Sequence, residues 1–188
     1  METRFFLDVE GKAANLLRQA DALRAPVDVR KVARHLDAQV HEQTLEDVVS
    51  GVLVIRGDER HIMVNKAHHP NRQRFSIAHE LGHLVLHHKQ GDNLFIDKHL
   101  SIYQRVGSAT SIAYQQPGSS TTPADEREAN QFASALLMPK ELLLFATKDR
   151  DLWDELDIAT LASQFGVSEQ AMTIRLRQLG ILDSEMFH

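Results

Sequence analysis

The stretch RFSIAHELGHLVLH, residues 74–87, decides how this chain is read. Phe75, Ile77, Ala78, Leu81, Leu84, Val85 and Leu86 give it a buried, helix-forming character, and no proline interrupts it. On a helix, His79 and His83 stand one turn apart on the same face, so both imidazoles reach one metal ion. Glu80 follows the first histidine and is placed to act as a general base on a water held there. This HExxH pattern is the core of a zinc metallopeptidase helix. Gly82 costs about 1 kcal/mol in a helix interior relative to alanine. A glycine between two histidines therefore predicts close packing of another element at that point.

Two histidines and a water leave one protein ligand missing, since catalytic zinc usually takes three. A second segment, TPADEREANQFASALLMP at residues 122–139, offers carboxylates. Thr122 is a good N-cap, Pro123 suits the first helical position and Asp125 completes a capping box. Ala129, Phe132, Ala133, Leu136 and Leu137 form an apolar stripe, and Pro139 marks the end. Glu126 and Glu128 lie about 200° apart around such a helix, so only one of them can face a metal. Glu126 shares its face with Asn130. His87 continues the series from His79 and His83, but lies about 12 Å from His79 along a continuous helix, too far to share an ion. His87 and His88 read instead as helix C-terminal residues, favoured by the dipole.

The pairing of RFSIAHELGHLVLH with EREANQFASALLMP resembles the ImmA/IrrE family of bacterial and phage zinc metallopeptidases. It is similar, more distantly, to gluzincins that carry HExxH followed by ExxAD or ExxAN. The resemblance runs from about residue 10 to the C-terminus. It implies Zn²⁺ held by His79, His83 and Glu126, with Glu80 catalytic and Asn130 orienting one of the histidines. It also implies an endopeptidase that cleaves a specific helix-turn-helix repressor and so derepresses stress-response, mobile-element or phage-defence genes, under a DNA-damage or DNA signal. A different class stays open beside it: a non-proteolytic DNA- or protein-binding regulator, antitoxin-like, with a structural or vestigial metal site.

Composition narrows the class. The chain has 188 residues, 43% of them hydrophobic, and a net charge of −5, which gives no basic footprint for non-specific nucleic-acid binding. Cysteine is absent, which excludes disulfides and thiolate zinc sites. The N-terminus, METRFFLDVEGKAANLL, carries early acids and is not a signal peptide. No run approaches the roughly 18 apolar residues of a membrane span, so a cytoplasmic protein is expected.

The remaining pattern predicts an α+β fold, with zincin-like helices on a small sheet. Helices are expected over residues 10–24 and 29–36, strands over 39–44, 48–55 and 61–65, and a strand or short helix over 93–102. Ile62, Val64 and Asn65, directly before the zinc helix, are candidates for an edge strand that pairs with extended substrate. Residues 104–122 read as a connector near the site, and Tyr103, Tyr114, His99 and Arg105 are candidate oxyanion stabilisers. Residues 1–148 are expected to form the peptidase domain and 149–188 a helix-turn-helix-like region. There Gly166 makes the turn and Ser168 caps the second helix. Glu169 stands at the front of that helix, and only Arg175 and Arg177 are basic. DNA recognition wants several phosphate contacts, so a packing or partner-docking role is favoured.

Overall fold

A computed structural model describes residues 2–87, 93–98 and 121–182. The chain runs α1 (Glu2–Gln19), α2 (Val29–His35), β1 (Ala38–Gln43), β2 (Val49–Arg56), β3 (Glu59–Asn65) and α3 (Pro70–Leu86). It continues with β4 (Asn93–Lys98), α4 (Pro123–Leu137), α5 (Lys140–Ala146), α6 (Glu155–Phe165) and α7 (Glu169–Gln178). The α+β expectation holds. Among the described residues no helix is long and apolar enough to cross a membrane.

The four strands are ordered β1-β3-β2-β4, with β1 parallel to β3 and the other two pairs antiparallel. Period-two alternation sends Leu53 and Ile55 of β2 and Ile62 and Val64 of β3 to one buried face. The α3 helix packs on β2 and β3, and α4 packs on both α3 and α1. One apolar core runs from Val9 to Leu182.

This topology corrects the reading of Ile62, Val64 and Asn65. The β3 strand is internal, paired with β1 on one side and β2 on the other, so it offers no edge to a substrate. All three side chains are fully buried. Asn65 is a loop organiser: its amide donates to the carbonyls of Glu46 and Val49 and accepts from Ala67 N–H. The edges among the described residues are β1 and β4.

Local chemistry sets the helix ends. Thr122 and Asp125 form the reciprocal capping box that starts α4, at 2.8 and 3.2 Å. Pro139 ends α4, as expected, but it also opens α5, a helix absent from the sequence reading. Gly166 closes α6 at φ +64°, the left-handed C-cap that glycine adopts at least cost, and Ser168 then caps α7. The turn between them is gripped by α3: Asn71 donates to Val167 O at 3.0 Å and Arg74 to Gly166 O at 3.1 Å.

Candidate metal centre

The centre forms where α3 and α4 cross. Gly82 lets them approach: a Cβ there would meet the Ala129 Cα at 3.0 Å and its carbonyl oxygen at 3.1 Å. The close packing expected from the glycine is the backbone of α4 itself. That contact sets Glu126 and Asn130, one turn apart on α4, against His79 and His83 on α3.

Three side chains converge. The Nε2 atoms of His79 and His83 are 3.0 Å apart. Glu126 Oε2 lies 3.3 Å from His79 Nε2, and Glu126 Oε1 lies 3.5 Å from His83 Nε2. The donor set is a fit for a divalent ion. Tetrahedral coordination at zinc–nitrogen and zinc–oxygen bonds near 2.1 Å places ligand atoms about 3.4 Å from one another. These are the separations the cluster already has. Among the described residues it is the one group of three or more His, Cys, Asp or Glu side chains close enough to share an ion.

Asn130 sets the histidine chemistry. His79 Nδ1 donates to Asn130 Oδ1 at 3.0 Å, so the proton sits on Nδ1 and the Nε2 lone pair points into the cluster. Burial lowers the pKa of His83, outweighing the opposite pull of Glu126, so His83 stays neutral at neutral pH. Burial pushes the Glu126 carboxyl up, but the His79 and His83 rings set against it outweigh burial and hold it well below the usual range. Neutral imidazoles and an ionised carboxylate are the states a cation requires.

The alternative carboxylate is accounted for. Glu128 turns from the cluster and lies 3.6 Å from His87 Nε2, while Asp125 lies 3.4 Å from His87 Nδ1. His87 is the C-cap of α3 and belongs to this flank.

Glu80 is fully buried, and its carboxylate lies against the sheet at Gly51. A Cβ at Gly51 would meet Glu80 Oε1 at 2.8 Å, so β2 keeps a side-chain-free position for this carboxylate. Phe95 of β4 stacks on His83, with ring centroids 5.0 Å apart and an angle of 21°. Sequence reading missed both residues. A glycine inside β2 was the available signal for the first; nothing local marks Phe95. Tyr103, Tyr114, His99, Arg105 and His88 lie outside the described residues.

Residues 33–177, well over half of the chain, match the model of a metallopeptidase family described as the IrrE N-terminal-like domain. No curated protein matches the chain.

Proposed function

The chain belongs to the IrrE N-terminal-like metallopeptidase family, and from that premise we propose that it is a zinc endopeptidase. In this reading His79, His83 and Glu126 hold the metal, and Asn130 orients His79. The observation that carries it is the convergence of three ligand side chains, their ring nitrogens and carboxylate oxygens 3.0 to 3.5 Å apart, on two helices that meet at Gly82. Bound there, zinc supplies Lewis acidity to a water and to the scissile carbonyl. Glu80, directly after a ligand, takes the proton of the attacking water and delivers it to the leaving amine. An extended substrate segment pairs with β4, the sheet edge whose Phe95 touches His83.

The substrate proposed is a helix-turn-helix transcriptional repressor, whose cleavage derepresses stress-response, mobile-element or phage-defence genes. The resemblance of RFSIAHELGHLVLH and EREANQFASALLMP to ImmA/IrrE proteins supports it. Residues 149–188 serve packing and partner docking in this account. A DNA-reading role loses support because Arg175, one of two basic residues on α7, is fully buried.

The test is intact mass spectrometry of the neighbouring helix-turn-helix regulator, co-expressed with wild type or Glu80→Gln, with and without DNA damage. Discrete fragments with wild type alone are expected. An intact regulator in every arm would move the weight to a non-proteolytic regulator.

A further inference from the structure

The two histidines of the cluster are held by different means. His79 donates from Nδ1 to Asn130 Oδ1 at 3.0 Å, which fixes its ring from the far side. His83 is equally buried, yet its Nδ1 has no hydrogen-bond partner among the described residues. Its Nε2 faces the cluster, 3.0 Å from His79 Nε2 and 3.5 Å from Glu126 Oε1. The last torsion of a histidine side chain has only broad intrinsic preferences. A ring without a polar partner on its far side therefore keeps its aim only if packing stops it from turning.

Three rings lie against His83 among the described residues. The His79 centroid is 4.7 Å away with the planes at 80°, and the His87 centroid is 5.6 Å away at 53°. Both belong to α3, so they tie the ring only to its own helix. Phe95 comes from β4 and lies nearly parallel to the imidazole, at 5.0 Å and 21°. Turning the imidazole would break this stack. Phe95 is itself fixed: it is buried, and its partner across the strand pair is Leu53 of β2, which is fully buried. Two residues earlier on β2, Gly51 makes room for the Glu80 carboxylate. The β2–β4 pair thus meets the functional face of α3 at two points, once at Glu80 and once at a ligand.

We propose that Phe95 is a positioning residue for His83. Its face sets the plane of the imidazole and keeps the Nε2 lone pair aimed at the ion, as the hydrogen bond to Asn130 does for His79. The inference rests on the metal-binding part of the proposed function and not on the substrate. The rival role for Phe95 is to fill the core, which any apolar side chain of similar size can do. A leucine keeps the apolar burial and loses the stacking face, so it separates the two roles.

The test uses the full chain and two metals alone, with no substrate. Zn²⁺ affinity is read by chelator competition, and coordination geometry by the visible absorption of the chain loaded with Co²⁺. Phe95→Leu should weaken Zn²⁺ binding about two- to tenfold, the worth of an aromatic pair beyond its buried area, and should alter the Co²⁺ spectrum. Phe95→Tyr, which keeps the ring, should restore most of the affinity and the wild-type spectrum. Leu161→Val is the control, a core change on α6, which supplies no ligand to the cluster. It should lower the thermal midpoint of the metal-free chain and leave affinity and spectrum alone. A Phe95→Leu chain with wild-type affinity and spectrum would overturn the proposal and spare the metal site. So would a Leu161→Val chain that loses affinity by the same factor, since Phe95 would then act through stability only. A wild-type chain that takes up neither Zn²⁺ nor Co²⁺ would sink the metal reading and this inference with it. Metal uptake that depends on Phe95 in a chain that cleaves nothing would uphold the positioning role and count against the peptidase reading alone.

Discussion

Two of the regions that bury charge-bearing side chains among the described residues do so to opposite ends. At the α3–α4 crossing, His79, His83 and Glu126 aim electron pairs at one point, at separations of 3.0 to 3.5 Å. On α7, Arg175 is fully buried, but its partners complete one another. Glu10 accepts from both terminal nitrogens at 2.6 and 2.8 Å, and Met138 O accepts from Nε at 3.1 Å. The second arrangement joins α1, the end of α4 and α7, and leaves the guanidinium nothing further to do. The first gathers donor atoms from three side chains close enough together to share one ion. Buried charge closed by its partners is architecture; buried lone pairs converging on a shared point are a site.

The hardest test of that distinction separates chemistry from scaffold inside the first region. Glu80→Gln is expected to lower hydrolysis by about 10²- to 10⁴-fold, while metal content and thermal midpoint stay at wild-type values. Turnover at the wild-type rate would remove Glu80 from the chemistry. The second region should respond in stability instead. Arg175→Met leaves Glu10 without its partner and is expected to cost about 3–5 kcal/mol in denaturant unfolding. Adding Glu10→Leu should restore much of it, with metal stoichiometry at one per chain throughout. A single Arg175→Met variant as stable as wild type would show that the pair is not the clamp described.

The sequence makes the first region far more legible than the second. HExxH is local, and helical periodicity alone puts His79 and His83 on one face. The third ligand is a tertiary fact. Choosing Glu126 over Glu128 needed either the family resemblance or the structure, where Glu128 lies beside His87. The strands were found close to their true extents, but strand order depends on non-local pairing that alternation does not encode. Thus β3 looked like an edge and is internal. The α5 helix was missed because Pro139 was read only as a stop. Arg175 looked like one of the two basic residues a DNA reader would need, and its burial depends on Glu10, 165 positions away.

A smaller effect sharpens the account of the ligands. Asn130 touches no part of the convergence point, yet it fixes the proton on His79 Nδ1. Asn130→Ala should weaken metal binding about 10- to 100-fold in a chelator competition. Asn130→Asp, which keeps an acceptor at the same place, should recover most of the affinity. An Ala variant with unchanged affinity would mean that the lone pair of His79 needs no orienting partner.

The smallest expected change bears on why the two helices meet at all. Gly82→Ala relieves about 1 kcal/mol of helix cost, yet places a methyl 3.0 Å from Ala129 Cα and 3.1 Å from its carbonyl oxygen. Both contacts are backbone, so no flexible side chain can yield; overpacking of this kind costs about 1–3 kcal/mol. The two terms nearly offset, and a net loss of at most about 2 kcal/mol is expected. Metal affinity should fall by a larger factor than stability, because the strain is relieved by moving α4, and α4 carries Glu126 and Asn130. Denaturant unfolding of the metal-free chain and chelator competition separate the two effects. If Gly82→Ala stabilised the metal-free protein and left affinity intact, α4 would be free to shift without disturbing the ligands. Close approach at Gly82 would then not be what assembles the site.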